Sequence, residues 1–142
     1  MIRLGKLTDY AMLILSQMAQ APASVLSAAV IAEALHLSLP TVSKILKILS
    51  EGGLVSSVRG AEGGYLLTRA ANEITVADVI TAMEGNLAMT ECCESINLCA
   101  ISASCVMKGN WLKINTAIHA MLAKLTIIDM SQPLPRGILH GE

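Results

Sequence analysis

Cys92, Cys93, Cys99 and Cys105 are the only cysteines in the chain, and all fall within one short stretch, "CCESINLCAISASC". Cys93, Cys99 and Cys105 are separated by five residues each time. Structural zinc sites offer close C-x2-C pairs, so a doubled five-residue gap speaks against a zinc finger. A disulfide framework suits small secreted chains without a core, which this chain does not resemble. Thiolates offered from separate points of an irregular segment suit the soft iron of an iron–sulfur cluster. A zinc or redox-dithiol loop and ordinary buried thiols are competing readings of the same residues. A cluster on three cysteines needs a fourth ligand. Adjacent residues usually point apart, so Cys92 beside Cys93 ranks below a carboxylate or imidazole from elsewhere.

The elements that must hold these thiols come from a 142-residue chain that is 54% hydrophobic, enough for the core of one compact domain. One Trp, two Tyr and no Phe leave an aliphatic, Met-filled core, which suits packed helices. Every apolar run is broken well before the roughly 20 residues of a spanning helix, and no signal-peptidase site stands out near the N-terminus. The expectation is a cytoplasmic protein with no membrane partner. The net charge of -1 conceals an asymmetry. Residues 1–69 hold six basic against four acidic side chains, and the remainder four against seven. The basic end is the candidate for contact with phosphate.

Thr8 suits an N-cap, and Met12, Leu13, Leu15 and Met18 recur at helical spacing over residues 8–20. A second helix is predicted from Ser27, with Val30, Ile31 and Leu35 on one side. In "LHLSLPTVSKILKILSEGGLV", Ser38 is an N-cap, Pro40 falls in the first turn, and Gly52-Gly53 ends the helix. Val42, Ile45, Leu46 and Leu49 form its packing face, leaving Thr41, Ser43, Lys44 and Lys47 for other faces. Strands at 54–58 and 65–68 around a Gly-rich turn at 59–64 predict a hairpin. Two helices joined by a tight turn and followed by a hairpin make a winged helix-turn-helix whose second helix is sized for the DNA major groove.

The fold class is therefore mainly α with a small β-hairpin wing, plus a long C-terminal dimerisation helix. Residues 1–85 form the DNA-binding domain, 86–107 a cysteine-rich loop, 108–130 the dimerisation helix and 131–142 a flexible tail. Thr75 is expected to cap a helix over 75–85, with Asp78 completing a capping box. Trp111, Ile114, Ile118, Met121, Leu125 and Ile128 alternate three and four apart in a helix from Asn110. Such a seam packs on the chain's own core or on a second copy, and two-fold pairing suits a reader of two half-sites. His36, His119 and His140 read as structural or solvent-facing. No Ser-His-Asp constellation or paired-acid motif suggests an enzyme with a small-molecule substrate, and "GAEGG" lies between strands with no helix N-terminus to bind phosphate.

"LTDYAM" at 7–12, "LSLPTVSKIL" at 37–46, "GGLVSSVRGAEGGYLL" at 52–67 and the spaced cysteines closely resemble the Rrf-type winged-helix regulators that sense iron–sulfur clusters, the group of IscR and NsrR. The resemblance covers residues 1 to about 129. "KGNWLKINTAI" and "IIDM" look most like the branch that regulates SUF-type cluster-assembly operons. The resemblance implies a homodimer on a double-stranded DNA operator, acting as a repressor. A nitric-oxide or iron-responsive regulator of other genes and a cluster-carrying electron-transfer or delivery protein are the alternatives. The implied cofactor is a 2Fe-2S or 4Fe-4S cluster on Cys93, Cys99 and Cys105. One branch of the family adds a His three residues after the last Cys, where this chain has Lys108. Another uses a carboxylate of the partner's first helix, which corresponds to Asp9. An acid in the first turn of a helix is also favourable with the macrodipole alone. Ser38, Thr41, Ser43 and Lys44 occupy the family's DNA-contact positions, and Arg59 the wing position that enters the minor groove. Their plainer reading is a solvated helix face and a hairpin-end charge.

Overall fold

The computed structural model describes residues 3–138. α1 (Lys6–Ala19) turns Ala11, Ile14, Leu15 and Met18 inward at helical spacing, each at most 2% exposed. It starts two residues before the predicted boundary, with Gly5 at the N-cap. Thr8 is buried inside the helix, where its hydroxyl donates to Glu84 Oε1 at 2.6 Å. The same oxygen accepts the Gly5 N–H. The cap thus comes from a distant carboxylate, which is why Thr8 does not mark the helix start.

α2 (Ala28–Leu35) is capped by Ser27 and ends at His36, whose φ of 54° puts it in the left-handed region. The Leu37 N–H reaches back to the Ala32 carbonyl at 3.0 Å and that of His36 to Glu33 at 3.3 Å, closing the helix as a Schellman turn. The chain bends by 119° into α3 (Leu39–Glu51). The Ser38 hydroxyl caps α3, Pro40 sits in its first turn, and Val42, Ile45, Leu46 and Leu49 are fully buried. This is the predicted helix-turn-helix. Among the described residues no single helix is long and apolar enough to cross a membrane; α2 and α3 together meet that length only across their sharp bend.

The wing is β1 (Val55–Val58) paired antiparallel with β2 (Gly64–Leu67), in the register Val55 to Leu67 and Val58 to Gly64. A third segment joins it: Leu26 and Tyr65 exchange backbone hydrogen bonds of 2.9 and 2.8 Å. A Cβ on Gly64 would stand 2.4 Å from the Leu26 carbonyl oxygen, so that crossing needs glycine.

A 3-10 turn at Ala71–Glu73 leads to α4 (Val76–Glu84), which opens with the expected Thr75–Asp78 capping box. The cysteine region contains one short helix, α5 (Glu91–Glu94), followed by turns. The C-terminal helix departs from its predicted extent. α6 (Lys108–Lys124) stops at Leu125, and a separate α7 (Ile127–Met130) follows. Thr126 caps α7 in a second capping box with Asp129, while the Val76 N–H donates to the Leu125 carbonyl at 2.8 Å and the Ile127 N–H to the Ile74 carbonyl at 3.0 Å. Leu125 and Ile127 enter the core there, and that burial breaks the seam. His140 and the last residues of the predicted tail lie outside the described residues.

Candidate functional site

Ser38, Ser43, Lys44 and Lys47 are exposed on α3 and its cap, opposite the buried apolar face. The Ser38 hydroxyl accepts from the Thr41 N–H at 3.4 Å and donates to Thr41 Oγ1 at 2.7 Å. A hydroxyl has one proton, so Ser38 is committed to the cap and the Thr41 proton is left to point elsewhere. Lys44 and Lys47 lie one turn apart and add positive charge to the same exposed surface. Arg59 is exposed at the start of the hairpin turn. The Arg69–Asp78 ion pair, 3.3 Å long, links the chain after the wing to α4. A polar helix face backed by a buried core and flanked by a wing turn that carries Arg59 is suited to phosphates and groove edges.

All four cysteines are free. Cys92 is buried, and Cys93, Cys99 and Cys105 are partly buried. The region is fastened to α6 along its length. Asn115 Oδ1 accepts the Met89 N–H at 2.9 Å and its Nδ2 donates to the Leu87 carbonyl at 3.1 Å. Cys93 Sγ lies 3.6 Å from the Trp111 carbonyl, and Lys108 Nζ donates to Ser102 Oγ at 2.8 Å. Among the described residues no three His, Cys, Asp or Glu side chains converge on one point as a metal site. The three predicted sulfur ligands therefore fit an iron–sulfur cluster by donor type, three soft thiols free of disulfides, while this chain alone does not bring them to a common centre. Lys108, at the position where one branch has His, is taken up as an anchor for Ser102.

Asp9 is exposed on the first turn of α1. It borders an apolar groove of about 580 Å3 whose lining includes Leu4, Met12, Ile80, Leu122, Leu125 and Met130. None of the 17 residues of α6 is buried, and Ile114 and Met121 of the predicted seam are 44% and 37% exposed. Ile96, Leu98, Ile101, Val106 and Met107, in the cysteine region and just before α6, are also exposed.

Three features escaped the sequence reading. Asn115 carried a faint signal, a lone amide within an apolar helical pattern. The break at Leu125 carried a stronger one, the T-x-x-D of Thr126 and Asp129 that marks a new helix start. Thr90 carried none, yet its hydroxyl stands 3.0 Å from Cys92 Sγ and 3.2 Å from Cys93 Sγ. A hydroxyl at the N-cap of α5 thus reaches both adjacent thiols.

The model of the Rrf2 family, described as iron-dependent transcriptional regulators, matches residues 4–133. An HTH-type transcriptional regulator of Neisseria meningitidis serogroup A is 36% identical over 133 residues, covering 94% of this chain and 88% of its own. IscR of T. potens superposes with a TM-score of 0.66 at 31% identity, covering 91% of this chain and 85% of its own. The B. subtilis global cysteine regulator CymR superposes with a TM-score of 0.70 at 26% identity, covering 92% and 97%. These neighbours bear out the winged-helix architecture, and relatives named as regulators bear out the expectation that the chain is not an enzyme. With a winged helix-turn-helix and a family match running from the first helix through α7, this chain is a transcriptional regulator of the Rrf2 family.

Proposed function

We infer that the protein is a homodimeric, iron–sulfur-responsive repressor of cluster-assembly genes of the SUF type, working in the cytoplasm. Cys93, Cys99 and Cys105 hold the cluster, with Asp9 of the partner subunit as fourth ligand. Ser38, Thr41, Ser43, Lys44 and Arg59 meet the operator. Residues 1–85, 86–107 and 108–130 act as reading head, sensor segment and dimer element. When bound, the cluster supplies a soft-metal crosslink that oxygen, nitric oxide or iron shortage can remove.

The observation that carries this reading is the fastening of the cysteine region to α6 through Asn115, Trp111 and Lys108. α6 packs on α4, and α4 packs on α3, so the thiols and the reading helix share one packed series of elements. That adjacency offers a route for coupling, and the coupling itself is a quantity to measure. The unburied face of α6 supports pairing of two copies, since a lone chain gains little by leaving such a helix in water.

The test is operator binding by apo protein and by protein reconstituted anaerobically with iron and sulfide, at one fixed salt concentration. A difference of at least about 5-fold, the lower end of ordinary allosteric coupling, supports a sensor; equal affinities remove it. Cys99→Ala abolishes the charge-transfer absorption, and Asp9→Ala makes the cluster labile. Material that stays colourless after loading refutes cluster binding.

A further inference from the structure

Cys92 is left without a role by a three-cysteine site, although it is conspicuously placed. It is 9% exposed, at the second position of α5, with its sulfur 3.0 Å from Thr90 Oγ1. The same hydroxyl donates to Cys93 Sγ at 3.2 Å. A threonine hydroxyl has one proton and two lone pairs. With that proton directed to Cys93, the contact to Cys92 is a hydrogen bond only if the Cys92 thiol is the donor. Both contacts are hydrogen bonds at once in one arrangement only: Cys92 S–H to Thr90 O–H to Cys93 sulfur.

The ends of this series differ. Cys93 also approaches the Trp111 carbonyl at 3.6 Å, a contact that serves a thiol but offers nothing to a sulfur that has given its proton up to bind metal. The Thr90 bond serves both states, because sulfur accepts in either. Cys92 is enclosed, leaving little surface for an incoming metal, whereas Cys93 is partly exposed.

We propose that Thr90 is a positioning residue of the cysteine site, its hydroxyl donating to the Cys93 sulfur while accepting from Cys92, so that Cys92 acts through Thr90 and is not an iron ligand. The role toward iron rests on the cluster reading above; the hydrogen-bond series does not. Partners around metal ligands fix ligand orientation, and hydrogen bonds to sulfur tune iron–sulfur sites. The segment after α5 is made of turns, tied to α6 by the Lys108–Ser102 bond, whereas Cys93 sits on α5 with a hydroxyl already directed at its sulfur, so Cys93 is the ligand whose direction the fold prepares.

The test has two arms on the full chain. In apo protein, the S–H stretch of Cys92 is assigned by the infrared difference between wild type and Cys92→Ala. It lies at the low frequency of a hydrogen-bonded thiol, moves up in Thr90→Val and returns in Thr90→Ser. A band unmoved by Thr90→Val overturns the series. In protein loaded anaerobically with ferrous iron and sulfide, Thr90→Val loses iron to a chelator about 10- to 100-fold faster, the usual range for such partners, and Thr90→Ser restores retention. Cys92→Ala binds the wild-type amount of iron. Wild-type retention by Thr90→Val overturns the positioning role, and loss of iron binding in Cys92→Ala makes Cys92 a ligand. If wild type takes up no iron, the cluster reading fails and the infrared arm still decides the hydrogen-bond series.

Discussion

Asn115 and Met89 join α6 to the entrance of the cysteine region: the side-chain oxygen of Asn115 accepts the backbone N–H of Met89 at 2.9 Å. Because the same amide donates to the Leu87 carbonyl, one side chain satisfies both backbone polarities of the entering strand of chain. Asn115→Leu leaves two partly buried backbone groups unpaired, at a cost of about 1–3 kcal/mol each where water cannot replace the bond. Hydrogen exchange at the Met89 amide accelerates in this variant, while the amides of α3 keep their protection. Unchanged exchange at Met89 would show that the bond is idle in solution.

Glu84 ties the end of α4 to the start of α1 by accepting from Gly5 and Thr8. Glu84→Ala removes a cap and leaves the buried Thr8 hydroxyl unpaired, destabilising the fold by about 1–3 kcal/mol. Thr8→Val in the same background adds less than it does alone, since both variants break one bond. Urea denaturation of the two single variants and the double variant reads this directly, and strict additivity contradicts it.

Gly64 and Gly109 predict opposite responses to one methyl group. The Cβ of Gly64→Ala runs into the Leu26 backbone and costs about 1–3 kcal/mol as overpacking. That of Gly109→Ala meets nothing within 4 Å and lies in the first turn of α6, where it stabilises by about 0.4–1 kcal/mol through the unfolded chain. Denaturation midpoints moving in the same direction would contradict the account of the Leu26 crossing.

Ile114 and Met121 lie on the unburied α6 seam. In the proposed two-fold contact, replacing both with Glu places two charges on each side and shifts the protein to monomer in sedimentation, with the far-ultraviolet circular dichroism of the chain retained. A double variant that sediments as wild type removes α6 from the interface.

In the proposed operator complex, Lys44 and Arg59 represent two different modes of DNA contact. Lys44→Ala lowers the slope of log affinity against log salt by about one if its ammonium meets a phosphate. Arg59→Ala weakens binding most at sites with narrow A-T tracts beside the half-sites, because a guanidinium in the minor groove reads shape. Fluorescence anisotropy over a salt series and a small set of operators measures both.

The helix-turn-helix was legible in the sequence because its determinants are local. Ser38 and Pro40 start α3, Val42, Ile45, Leu46 and Leu49 face one way at helical spacing, and the Thr75–Asp78 box opens α4 within four residues of chain. The polar residues of α3 follow, since a helix with one buried face offers the rest to solvent. The cysteine spacing likewise pointed to soft-metal or thiol chemistry, because ligand type is a property of the residue.

Tertiary structure decided what depends on residues far apart in the chain. Glu84 supplies the α1 cap from 79 residues away, so Thr8 becomes a buried partner and not a helix start. Leu125 leaves the seam because its carbonyl bonds to Val76 and its side chain enters the core, an outcome no heptad count contains. The link between Thr90 and two adjacent sulfurs depends on how α5 begins, and the Asn115 clamp on how α6 lies against residues 87–89. Periodicity specifies which faces are apolar, but the partner of each face and the bonds that cross between elements are set only when the chain closes on itself.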